Sequence, residues 1–133
     1  MNKKLAILPV LAILISMLSC QKQGAKSNSS TTKTIKFILY TNKDFSDVND
    51  TINFSLTIKK KSNITLLDSA LTSMRIKDIP GPANKMIFQK TVPDDGSTLI
   101  AGFNYNIKNI GYSWFLDTVS VSEKLKVIEY SFQ

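Results

Sequence analysis

The chain predicts an all-β fold, an antiparallel β-sandwich of about seven strands. Two stretches carry that expectation. Thr51-Ile52-Asn53-Phe54-Ser55-Leu56-Thr57-Ile58 alternates polar and apolar without error, and residues 99–107 place Leu99, Ala101, Phe103, Tyr105 and Ile107 on one face. A period of two puts such sets on one side of a strand, whereas a helix would scatter them around its circumference. Turn signals at short spacing then divide the chain into pieces too short for long helices.

The expected strands are Thr34–Thr41, Thr51–Ile58, Asn63–Asp68, Lys85–Val92, Leu99–Ile107, Tyr112–Val121 and Leu125–Phe132, filled largely by β-branched and aromatic residues. Asn42–Asp50 is polar and reads as a loop, and Lys59–Asn63 as a basic hairpin turn. Ile79-Pro80-Gly81-Pro82 breaks any regular element, and Pro93-Asp94-Asp95-Gly96-Ser97 is the clearest turn. Asn109-Ile110-Gly111 supplies another break. One segment reads two ways: Leu66, Leu67, Ala70, Leu71 and Met74 also fit a helical stripe, so residues 67–74 form either strand or a short crossover helix. In architecture, residues 34–133 resemble small immunoglobulin-like, fibronectin type III-like or transthyretin-like modules, which implies a sandwich and no particular activity. The Cys…Trp…Cys signature of true immunoglobulin domains is absent.

The first twenty residues have a different character. Met1-Asn2-Lys3-Lys4 precedes an apolar run from Leu5 to Leu18, and Ser19-Cys20 follows. A basic start, a short apolar stretch and a small residue form an export signal. The run falls short of the roughly 20 residues a bilayer span needs. Met17-Leu18-Ser19-Cys20 resembles the lipobox of bacterial lipoproteins. It departs from the usual pattern in Met17, where Leu is common, and in Leu18, where a small residue is common. The resemblance implies that a signal helix of residues 1–19 is removed and that Cys20 is acylated and becomes the new N-terminus. The attached chains would then form a lasting membrane anchor. Gln21, rather than Asp, implies the outer membrane. Residues 21–33 contain no apolar side chain larger than Ala and read as a disordered tether between the lipidated Cys20 and a domain beginning at Thr34.

Composition narrows the chemistry. The 133 residues carry a net charge of +7; Lys3 and Lys4 belong to the signal, leaving 15 of the 17 basic residues against 10 acidic ones, or +5. That is modest for a nucleic-acid partner, and export argues against one. Cys20 is the only cysteine and histidine is absent. An acylated Cys20 leaves the folded part without a thiol, so disulfides, thiolate nucleophiles, Ser-His-Asp catalysis and ordinary zinc sites have no residues to work with.

Four groups of side chains invite a functional reading. Asp44, Asp47, Asn49 and Asp50 place hard oxygen donors on one loop and make a calcium candidate; the expected alternative is a solvated turn whose side chains bond their own backbone. Tyr112, Trp114 and Tyr130, with Tyr105 and Phe115 nearby, are a glycan-stacking candidate with Asn104, Asn106 and Asn109 as a polar rim. Their expected role is core, because Tyr105 shares a face with Phe103, and Trp114 shares one with Tyr112 and Leu116. Lys59-Lys60-Lys61 reads as a solvated hairpin tip or as a contact for anionic headgroups. Asp68, Asp117, Glu123 and Glu129 show no spacing that brings a catalytic pair together. The expected function is therefore a non-enzymatic lipoprotein of the bacterial envelope, without cofactor, whose sandwich is a protein-interaction or structural module. The alternative is a carbohydrate-binding accessory protein.

Overall fold

The computed structural model describes residues 31–133. The signal helix, Cys20 and the expected tether up to residue 30 lie outside the described residues. Eight strands form two sheets: β1 (Thr32–Thr41), β2 (Thr51–Lys60), β3 (Thr65–Ala70), β4 (Met74–Arg75), β5 (Met86–Pro93), β6 (Leu99–Ile107), β7 (Gly111–Val119) and β8 (Leu125–Phe132). Single 3-10 turns at Ile76–Asp78 and Pro82–Asn84 interrupt the β4–β5 connection. No helix among the described residues is long and apolar enough to cross a membrane.

One sheet has the order β5-β1-β8 and the other β3-β2-β6-β7, with β4 also beside β2. The all-β sandwich thus stands, with three corrections. β4 adds a short eighth strand. β1 and β8 pair in parallel, Thr34 opposite Leu125 through Thr41 opposite Phe132, so the sheets are not wholly antiparallel. In the immunoglobulin arrangement the first two strands share a sheet; here β1 and β2 lie in different sheets.

The core fills the space between the sheets. Ile35, Phe37 and Leu39 of β1 face Ile52, Phe54, Leu56 and Ile58 of β2 and Leu99, Ala101 and Phe103 of β6, all essentially without solvent contact. Burying each large side chain contributes about 1.5–3 kcal/mol. The aromatic rings meet edge-on, Phe103 against Phe37 at 5.7 Å between centroids and Phe54 against Phe132 at 6.0 Å. Phe45 and Val48 of the 42–50 loop also pack on the core.

Within residues 67–74 there is no helix: 67–70 and Met74 are strand, joined by an irregular link at 71–73. β3 runs along β2 to Ala70, Leu71 N–H reaches Phe54 O at 2.8 Å, and β4 resumes the same edge of β2. The backbone groups of β2 on that side would otherwise lack partners, and this requirement overrides the helical stripe. β1 begins two residues before the expected start, and Lys33, assigned by sequence to the tether, is a fully buried strand residue.

Candidate functional site

β7 decides what the molecule presents to solvent. Its register on β6 places Val119 opposite Leu99 and Phe115 opposite Phe103, so Ser113, Phe115, Asp117 and Val119 turn toward the other sheet. Tyr112, Trp114 and Leu116 then point outward. Tyr112 is 78% exposed and Trp114 68%. The grouping expected from sequence is right and the side is wrong: these rings are not core. A one-residue slip would exchange the two faces. The turn before β7 sets the register, with Asn109 at φ 67° and Gly111 at φ 135°, a value few side chains tolerate.

Two rows of side chains cross the outer face of the five-stranded sheet. Asn53, Asn106 and Tyr112 stand opposite one another on β2, β6 and β7, and Ser55, Asn104 and Trp114 form the adjacent row. Ala70 of β3 pairs with Ser55 and ends the second row. Between the rows lies a shallow depression of about 220 Å³, with Asn53, Ser55, Ala70, Asn104, Asn106 and Tyr112 among its walls and no charged side chain. Each Asn amide offers two donors and one acceptor oxygen. The small side chains of Ser55 and Ala70 leave the floor open.

The platform is held from beneath. Gly102 of β6 stands opposite Leu116 of β7, so close that a Cβ there would lie 2.0 Å from the Phe115 carbonyl oxygen. Phe115 stacks on Tyr130 of β8 at 4.7 Å and 16°, and the Tyr130 hydroxyl bonds that of Tyr105 at 3.2 Å. Tyr130 alternates with buried Ile128 and Phe132 and faces inward, so it is a buttress rather than part of the glycan face. Burial, then the bond to Tyr105, pushes its phenol well above the usual tyrosine value.

The other candidates take plainer positions. Asp44 accepts a hydrogen bond from Ser46 N–H at 3.0 Å, which holds its carboxyl below the usual range. The Asn49 side-chain oxygen takes a long 3.5 Å bond from Arg75, while Asp50 and Val48 use backbone carbonyls to bind Ile76 and Lys77. These are turn contacts. Among the described residues no three acidic, cysteine or histidine side chains converge as a metal site would require, so Asp44, Asp47, Asn49 and Asp50 are not brought together. Asp117 and Glu123 do approach one another, at 3.0 Å and 3.6 Å from Lys126. The Lys126 ammonium holds Asp117 below its ordinary value, and the Ser120 N–H does the same for Glu123. Neither is thereby prepared to donate a proton at neutral pH. Glu129 pairs with Lys85, and Asp68 lies apart on β3 opposite Thr57.

Comparison of the chain with protein-family models, with characterised proteins and with solved structures finds no match. The reading of the site therefore rests on its own geometry. Sequence reasoning missed Asn53 and Ser55. They belong to the polar face of a strand whose alternation was clear, but nothing local says that β2 lies beside β6.

Proposed function

We propose that this protein is an exported, lipid-anchored bacterial envelope protein that binds uncharged glycan on the outer face of its five-stranded sheet and catalyses no reaction. The observation that carries the binding reading is the solvent-facing pair Tyr112 and Trp114: Tyr112 lines, with Asn53, Asn104 and Asn106, a depression with no charged lining, and Trp114 stands opposite Asn104 at its border. Sugar rings present an apolar face of C–H groups and a rim of hydroxyls. An aromatic platform suits the first, and neutral amides that both donate and accept suit the second. Uncharged walls favour neutral sugars over uronates or phosphosugars. The lipobox-like Met17–Cys20 supports the anchor, and the absence of histidine supports binding over catalysis.

A protein-partner role has its best support on the outer face of the three-stranded sheet, where Ile87 and Val127 are exposed. By register, Lys36 and Glu129 stand among them, opposite Val127 and Ile38. That interruption weakens the apolar patch such a partner would use.

Trp114 is the only tryptophan, so its emission reports on the site directly. Because it is exposed, it should emit as a solvated indole in the native protein. A bound neutral oligosaccharide should shift the emission to the blue. Trp114→Ala should weaken binding about tenfold or more, about 1.4 kcal/mol, with Tyr112→Ala following. An emission spectrum unmoved by every member of a panel of neutral cell-surface glycans would refute the reading.

A further inference from the structure

The end of the sandwich at which the described chain begins is built differently from the other. Three turns surround the start of β1: residues 61–64, 94–98 and 120–124. They are tied into one unit. The Lys33 ammonium, fully buried, donates to the carbonyls of Ser120 at 2.7 Å and Val121 at 3.0 Å. Asp94 pairs with Lys124, and Asp95 with Lys60. Lys61 N–H reaches Thr98 O at 3.1 Å, and Thr34 N–H reaches Lys124 O at 2.9 Å.

From this braced surface apolar side chains project into solvent: Ile64 is 55% exposed, Val121 48% and Leu125 63%. Cations stand among them. Lys59 and Lys61 have no carboxylate partner among the described residues. Lys60, Lys61, Ser62, Ser97 and Thr98 line an open depression of about 290 Å³. Lys60 is already paired with Asp95, so the Lys61 ammonium brings the unpaired charge, and it and neighbouring hydroxyl-bearing residues are donors of the kind a phosphate diester accepts from. Projecting apolar tips interleaved with lysines are what the boundary between headgroups and acyl chains accepts. The opposite end carries the acidic loop of Asp44, Asp47 and Asp50 and the exposed Ile110.

We infer that this end rests on an anionic bilayer, with Ile64, Val121 and Leu125 entering the interface and the Lys60–Lys61 depression taking a lipid phosphate. The occupant is the membrane to which the chain's own N-terminal segment leads. Residues 20–30 can extend at most about 38 Å, so an acylated Cys20 holds this end near the surface and makes docking intramolecular. Contacts too weak to recruit a free protein are then sufficient. The inference rests on the lipid-anchor reading and is independent of the glycan. Its consequence for the platform is geometric: Trp114 lies five residues from Val119, where β7 ends, roughly 17 Å at strand rise, which sets the aromatic pair clear of the headgroups.

The test uses the full acylated protein in vesicles. Acylation of Cys20 leaves an engineered cysteine as the only free thiol, so Val121→Cys and Ile110→Cys, at opposite ends, can each carry one environment-sensitive fluorophore. In phosphatidylcholine vesicles containing phosphatidylglycerol, the label at 121 should shift to the blue and lose access to an aqueous quencher. The label at 110 should do neither. Lys61→Glu, or high salt, should restore quenching at 121. Flotation with pure phosphatidylcholine vesicles reports the anchor separately. If the protein floats but both labels are quenched alike on anionic vesicles, the docking surface is wrong and the anchor stands. If it fails to float and Cys20 reacts as a free thiol, the anchor reading and this inference fall together.

Discussion

Replacing Lys33 by Met tests how much a buried cation contributes at the base of the domain. The side chain keeps its length and its packing but loses the ammonium. Two charge-assisted hydrogen bonds disappear, to Ser120 O at 2.7 Å and Val121 O at 3.0 Å, together with attraction to the Asp94 carboxylate at 3.8 Å. Bonds of this kind contribute about 1.5–3 kcal/mol each. Two effects work the other way. The methionine no longer carries the desolvation cost of a buried charge, which is several kcal/mol. Ser120 and Val121 are exposed residues whose carbonyls can turn to water. Asp94 is also not stranded, because Lys124 remains beside it. The expected balance is a loss of about 2 kcal/mol, since each of the two bonds outweighs half of a partly offset desolvation term. For a domain of this size that lowers the melting temperature by about 8–16 °C. Circular dichroism melts at neutral pH measure it, and hydrogen exchange should quicken in residues 120–124. Lys36→Met, on the outer face of the same strand, should change the melt by less than about 0.5 kcal/mol. A Lys33→Met protein that melts at or above the parent temperature would show that desolvation dominates and that the cluster is not a brace.

Two further outcomes follow from the same coordinates. Gly102→Ala forces a Cβ to within 2.0 Å of the Phe115 carbonyl and 2.9 Å of Leu116 Cα, both backbone atoms that cannot rotate away; it should cost about 1–3 kcal/mol or more and displace β7, so thermal stability and any Trp114-reported glycan binding should fall together. The carboxyls of Asp94, Asp95, Asp117, Glu123 and Glu129 are all held below their ordinary values, chiefly by Lys124, Lys60, Lys126, the Ser120 N–H and Lys85 respectively. Depressed folded values mean that this stabilisation is complete above the ordinary carboxylate range near about pH 4 and is lost as the pH falls through the folded values. The melting temperature should therefore hold level from about pH 8 to pH 5 and drop below about pH 4; a constant value down to pH 2.5 or so would contradict the assigned ion pairs.

Local sequence determined a good deal here. Unbroken alternation in residues 51–58 and 99–107 specified both strands and their inward faces, because a two-residue period admits one burial solution when only one side is apolar. Pro93–Ser97 and Asn109–Gly111 specified turns through backbone preferences that belong to single residues. The type of residue available to the chemistry was equally plain, since a chain without histidine and with one cysteine offers few reactive groups. Tertiary structure alone decided the rest. β7 has apolar side chains on both faces, Tyr112, Trp114 and Leu116 on one and Phe115 and Val119 on the other, so only pairing with β6 turned Tyr112 and Trp114 outward and stacked Phe115 on Tyr130. Lys33 reads as tether by composition and is buried because two distant turns converge on its ammonium. The platform joins Asn53, Asn104 and Tyr112 across three strands, and strand neighbours are chosen by closing one shared core. That choice is made by the whole chain at once, and no short segment contains it.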